Sequence, residues 1–370
     1  MPTIADEDRI AIVETFRRVL DDHHQESQLR TVMATDEGFD RELWARLGDL
    51  GILGLLTDED YGGFGAGPVE LQMLMEVAGE YLLCAPFLAS SVIAASLVGQ
   101  SDDADKKREL LPRIASGQSI ATVAMTGDRG LWAEDDITVS ARAGDGATVL
   151  DGTASFVLHG LNADCLLVLA RHDGAIALFE VDPKAEGITS KPLPVNDPTL
   201  RISSVRFNQV AATPVSGVGI RELEKTLDLA RIALAAENAG GARKIFEITI
   251  DYISNRFQFG RPVGGFQALK HMAADLLIEV ESACSSARHA AQALASGSDE
   301  ADILVPLASF VTADVFREVS AQAIQMHGGI AYTWEYPAHL YWRRARTNLW
   351  LLGSSDVYRE KYLTALERTA

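Results

Sequence analysis

Two short stretches of this sequence carry side chains suited to an anionic ligand. In Arg256-Phe257-Gln258-Phe259-Gly260-Arg261-Pro262, an arginine is followed closely by an amide and two aromatics, and Phe266-Gln267 comes shortly after. Arginine is a two-pronged, permanently charged donor that matches a diphosphate. In Gln325-Met326-His327-Gly328-Gly329, a glycine pair closes a helical pattern, and paired glycines let a ligand approach the backbone closely. A basic run, Tyr341-Trp342-Arg343-Arg344-Ala345-Arg346, could meet phosphates or a neighbouring subunit. Each feature also has a plainer reading. Arg256 can be a surface ion-pair partner, Gly328-Gly329 a helix terminator, and the basic run a solvated face with ion pairs.

These local cations stand against a strongly acidic average. The 370 residues carry a formal net charge of −19, with 47% hydrophobic and 23% charged residues. That composition supports a sizeable core and excludes a disordered or fibrous chain. The charge argues against nucleic-acid partners, which need clustered Lys and Arg, but leaves room for a small anion held by a few basic groups. No run of about 20 apolar residues suggests a membrane span, and the acidic start does not read as a signal peptide. Cys84, Cys165 and Cys284 lie far apart, without metal spacing. They read as reduced, mostly buried thiols of a cytoplasmic protein, with no metal site.

The elements that position these residues fall into three regions. Residues 1–118 read as helical, with Ile10, Ile12, Val13, Phe16 and Val19 near one face of the first helix. Residues 119–217 alternate Val, Ile and Thr-rich segments with turns, such as Ala143-Gly144-Asp145-Gly146 and His172-Asp173-Gly174, and predict an antiparallel β domain, barrel or sandwich. Residues 218–370 return to helical periodicity: one long helix, then segments around 265–296, 300–327 and 336–368, which suggests a four-helix bundle. The fold class is α+β and multi-domain: helical, then β, then helical.

On this architecture the motifs resemble the acyl-CoA dehydrogenase family over nearly the whole chain. Leu43 to Glu80 is similar to that family's N-terminal helical domain. Arg256 to Gln267 resembles its R-x-x-F-G segment and following Gln. Gln325 to Gly329, leading into Glu335-Tyr336-Pro337, resembles its Q-x-x-G-G and E-Y-P segments. The resemblance implies FAD between the β domain and the bundle, an acyl-CoA substrate and a homo-oligomer, with an electron-transfer protein as acceptor. It implies that one subunit's R-x-x-F-G segment reaches the FAD of its neighbour, so that Arg256 pairs with the FAD pyrophosphate, that Gln258, Phe259 and Gln267 line the adenosine side, and that Gln325, Gly328 and Gly329 approach the cofactor. Thr126 and Phe156 would contact the flavin, as would Leu158 in place of the family's usual Thr; Ser354 and Asp356 would also lie on the cofactor side. Phe156 and Leu158 read equally well as core fillers. Arg231 would lie near the thioester.

The sequence departs from the family at the catalytic base. Family members keep a Glu shortly after E-Y-P, or on the first bundle helix before an Arg. Here those positions are Leu352, followed by Gly353-Ser354, and Ala230, followed by Arg231. Neither side chain accepts a proton. Glu335, Asp356 and Glu237 are the nearby carboxylates to weigh. The resemblance therefore leaves three functions open. The chain is an FAD-dependent acyl-CoA dehydrogenase with a non-standard base. It is the non-catalytic partner in an α2β2 heterotetramer whose second chain holds the base, as in some steroid-degrading bacterial relatives. Or it is a flavin monooxygenase of the same fold, which needs no α-proton base.

Overall fold

The computed structural model describes residues 4–144 and 147–369. Asp145 and Gly146, half of the turn expected at 143–146, lie outside the described residues. The chain begins with α1 (Asp6–His23), α2 (Glu26–Met33), α3 (Arg41–Asp49) and α4 (Pro68–Glu80). A π-helical stretch, Phe87–Ala94, runs into α5 (Ala95–Gly99), and α6 (Ala104–Ala115) follows. On α1 the expected apolar face shifts: Phe16 and Leu20, one turn apart, are buried, whereas Ile10 is 52% exposed. Asp40 caps α3 by accepting from the backbone N–H groups of Glu42 and Leu43.

Seven strands follow: β1 (Ala121–Ala124), β2 (Ser140–Ala143), β3 (Thr148–Leu158), β4 (Cys165–His172), β5 (Ala175–Val181), β6 (Ile188–Pro192) and β7 (Ile202–Val215). Pairing runs β4-β2-β3-β7-β5 and returns to β4, so these strands close into a barrel; β1 joins β4 and β6 joins β7. Most pairs are antiparallel, but β1 and β2 each meet β4 in parallel, so the sheet is mixed. Alternate residues point inward, and Leu150, Val157, Leu166, Val168, Phe179 and Phe207 fill the interior. Strand β3 bulges against β7 between Ala154 and Val157.

The rest of the chain is α7 (Ile220–Asn255), a small hairpin of β8 (Phe257–Gln258) and β9 (Arg261–Pro262), α8 (Gln267–Ser296), α9 (Ala301–His327), α10 (Ala338–Asn348) and α11 (Ser355–Thr369). The single helix expected around 336–368 is two. The break carries Leu352 at φ 64° and Gly353 at φ 123°, conformations that a right-handed helix does not accommodate. No helix among the described residues is long and apolar enough to cross a membrane.

By compactness the chain divides into two units: residues up to Glu70 with Cys84–Ala230, and Leu71–Leu83 with Arg231 onward. The second unit thus takes most of α4 from the N-terminal sequence. Close helix contact explains this. A Cβ on Gly240 of α7 would fall 1.8 Å from the Glu76 carbonyl oxygen, and one on Gly79 would fall 2.0 Å from that of Glu237. Only glycine lets α4 and α7 approach so closely.

Candidate cofactor and substrate site

In the first unit, Thr126 lies just beyond β1. It is buried, its carbonyl accepts the Ser155 N–H at 2.7 Å, and its Oγ1 has no hydrogen-bond partner among the described residues. A buried hydroxyl without a partner costs free energy that a ligand can recover. Phe156 sits in the β3 bulge at φ 56°, half-buried, with its ring against Gly130. The bulge turns this side chain out of the strand alternation. Leu158 is buried at the end of β3, and its carbonyl accepts the Thr122 hydroxyl at 2.6 Å. Ala230 is fully buried on α7.

In the second unit, Leu352 occupies the break between α10 and α11. It is 2% exposed and left-handed, a conformation that costs on the order of 1–3 kcal/mol for a non-glycine residue. The backbone is held there by Tyr358, whose hydroxyl donates to the Leu352 carbonyl. Buried Arg231 places its guanidinium 5.8 Å from the centre of the Tyr358 ring. Behind this loop is a small cavity of about 10 Å³, room for roughly one water. Arg231, Asn238, Ser309, Asn348, Ser355 and Tyr358 give it polar lining. The structure thus brings Arg231 and Leu352 together through Tyr358.

The three carboxylates weighed as bases are placed differently. Glu237 accepts from Arg344 Nη1 at 2.7 Å and from Asn348 Nδ2 at 3.1 Å, all three buried. Asp356 is exposed in the first turn of α11, 3.1 Å from Arg359. It does not stand one helical turn from Leu352, because Leu352 lies outside the helix. Glu335 is exposed. Ser354 lies just before α11, where its carbonyl accepts the Tyr358 N–H at 3.3 Å. The basic run also divides. Arg346 is exposed, but Arg344 is 1% exposed and spans from Glu237 to the Leu83 carbonyl at 3.3 Å. Its expected meeting with phosphate or solvent is replaced by an internal ion pair.

The Arg256 segment stands out from the surface. Arg256, Gln258, Phe259 and Gln267 are all exposed, Phe259 by 91%. Phe259 and Gly260 form the two-residue turn between β8 and β9, both with positive φ. Phe259 meets the Phe266 ring edge-on at 6.2 Å, and the Arg261 guanidinium covers Phe266 at 4.0 Å. Gln325 is exposed in the last turn of α9. At Gly328 and Gly329 an added Cβ would meet nothing within 4 Å, so open space adjoins that backbone.

Comparison with known proteins fixes the class. The acyl-CoA dehydrogenase N-terminal domain matches residues 6–118 and the C-terminal domain residues 217–366. The chain is 30% identical over 333 residues to acyl-CoA dehydrogenase FadE27 of Mycobacterium tuberculosis, covering 86% of each. It is 29% identical over 348 residues to acyl-CoA dehydrogenase IpdE2 of Mycolicibacterium smegmatis, covering 94% of this chain and 95% of that one. Among solved structures, the ChsE4-ChsE5 complex from Mycobacterium tuberculosis superposes with a TM-score of 0.90 at 26% identity over all of both chains. The Tcur3481-Tcur3483 steroid ACAD does so with a TM-score of 0.88 at 28% identity over 98% of each. The chain belongs to the acyl-CoA dehydrogenase family of oxidoreductases.

Two determinants escaped the sequence reading. Tyr358 holds the Leu352 carbonyl, and its only signal is an aromatic six residues downstream. Arg344 with Glu237 forms a buried pair linking α10 to α7, which spacing along the chain cannot reveal because 107 positions separate them.

Proposed function

We propose that this chain is the base-lacking subunit of a two-chain, FAD-dependent acyl-CoA dehydrogenase. One observation carries the reading: both positions where the family keeps its Glu are buried aliphatic side chains, and Glu237 is already committed to Arg344 and Asn348. Desaturation of a thioester needs a carboxylate within reach of the α-proton. In this reading the second chain supplies that carboxylate. The solved relatives named as the ChsE4-ChsE5 complex and the Tcur3481-Tcur3483 steroid ACAD support a two-chain assembly.

The residues present fit FAD. Thr126 offers a buried hydroxyl awaiting a partner, and Gly328-Gly329 border open space. When bound, FAD supplies the acceptor for the hydride leaving the β-carbon. In this reading, Thr126 donates to the ring system and Phe156 packs against it, with Leu158 as the apolar wall behind. Ser354 and Asp356 flank the cofactor side. Arg256 pairs with the diphosphate of a neighbouring subunit's FAD, the projecting hairpin carries Gln258 and Phe259 to its adenosine side with Gln267, and Gln325 with the two glycines gives close backbone approach. Arg231 orients the thioester end of the acyl-CoA, and Leu352 excludes water beside it. An electron-transfer protein then takes the electrons onward.

The test is expression of the chain alone and together with the chain encoded beside it. The reading expects a stable hetero-oligomer that binds FAD and desaturates an acyl-CoA only when both chains are present. A stable homotetramer with full dehydrogenase activity overturns it. Oxygen consumption with reduced flavin by the chain alone would instead support a monooxygenase.

A further inference from the structure

Two segments assigned above to FAD and the Glu335-Tyr336-Pro337 segment are linked around one side chain. His327 is the last residue of α9 and is 4% exposed. Tyr252 of α7 stacks on its ring at 4.5 Å with planes 28° apart. Tyr336, of Glu335-Tyr336-Pro337, lies against it at 4.9 Å and meets Tyr252 edge-on at 5.9 Å. Tyr252 stands one turn before the hairpin: its carbonyl accepts the Arg256 N–H at 2.8 Å. On the other side, His327 adjoins Gly328, at φ 67° and ψ −145°, a region essentially reserved for glycine. One imidazole thus touches Tyr252, one turn before the Arg256 hairpin, adjoins the start of the glycine turn and meets the Tyr336 segment.

The hydrogen bonding fixes the ring. His327 Nδ1 lies 2.7 Å from the Ala323 carbonyl, which can only accept, so Nδ1 carries the proton. Nε2 is buried without a partner among the described residues. The neutral ring therefore fits, and burial correspondingly holds its pKa below the usual histidine value.

We infer that His327 is a positioning residue for the cofactor, setting Arg256 and the Gly328-Gly329 turn relative to one another through its stack with Tyr252 and Tyr336. The inference rests on the FAD reading, and its test separates the two. The full-length protein, in the oligomer in which wild type is isolated, is titrated with FAD and followed by flavin absorbance. His327→Ala weakens binding about tenfold, the worth of one aromatic pair. His327→Phe, which keeps the stack, stays within about threefold of wild type. The effects of His327→Ala and Arg256→Ala combine to less than their product, because the histidine acts through the arginine. Helix packing alone would instead give independent losses and no rescue by Phe. If wild type binds FAD and His327→Ala binds equally, or if the two variants act independently, this inference is overturned and the FAD reading stands. If wild type takes up no FAD, both fall.

Discussion

The Arg344 guanidinium donates to the Glu237 carboxylate at 2.7 Å, and both residues are buried in the helical unit. This pair engages an interior carboxylate seven positions along α7 from Ala230. It also ties α7 to α10 and, through the Leu83 carbonyl, to the end of α4. Removing one partner leaves the other charge buried and unpaired, which costs about 3–5 kcal/mol. Arg344→Met is therefore expected to lower the urea midpoint sharply. Arg344→Met combined with Glu237→Leu is expected to recover much of that loss.

The α4–α7 crossing gives a second expectation. Gly240→Ala drives a methyl group into the Glu76 carbonyl, and backbone cannot swing aside as a side chain can. The expected loss is about 1–3 kcal/mol, typical of overpacking, although alanine is the better helix former. Thermal unfolding of the single variant measures it.

Much of this fold is legible in the sequence because it rests on periodicity. The long helix starting near 220, the helices beginning near 267 and 301, and the β segments before them follow from spacing and turn residues, whereas the β8–β9 hairpin that follows the end of the long helix at Asn255 does not. What spacing could not carry was tertiary. Leu352 reads as part of a continuing helix because leucine is a good helix former, and only the Tyr358 hydroxyl on its carbonyl reveals why the backbone breaks there. Arg344 reads as a surface cation because its partner is remote in sequence. The motif glycines and Arg256 were legible as candidates, and their surroundings, open and exposed, suit the ligand reading.

The cysteines give a chemical prediction. Burial pushes the Cys165 thiol up to about 12 and the Cys284 thiol up to about 11, and Cys84 is buried as well. Little thiolate forms at neutral pH. A thiol reagent at about pH 8 is expected to leave the native protein unlabelled and to modify all three cysteines after denaturation.

His327 sets a pH dependence. Burial, opposed by the hydrogen bond to the Ala323 carbonyl, lowers its pKa in the folded state. Below the unfolded value of about 6.5 the unfolded chain binds more protons, so the stabilising contribution is complete above that pH and is lost as pH falls toward the folded value. The urea midpoint of wild type is expected to drop more than that of His327→Phe between about pH 7.5 and 5.5.

The loop at Leu352 offers a gain-of-function probe. Its backbone is held by Tyr358 whatever side chain it carries, because the hydroxyl binds the main-chain carbonyl. Leu352→Glu is expected to cost about 1–3 kcal/mol for burying a polar group. It should also raise flavin reduction by an acyl-CoA above wild type, and Tyr358→Phe in the same background should diminish the gain.

The most direct test of the central claim is anaerobic flavin reduction. The FAD-loaded chain, alone, is mixed with a panel of acyl-CoAs, including bulky and steroid-bearing ones, and the oxidised-flavin absorbance is followed in a stopped-flow instrument. The account predicts no bleaching by the chain alone and rapid bleaching once the second chain completes the site. Bleaching at full rate by the chain alone would contradict it.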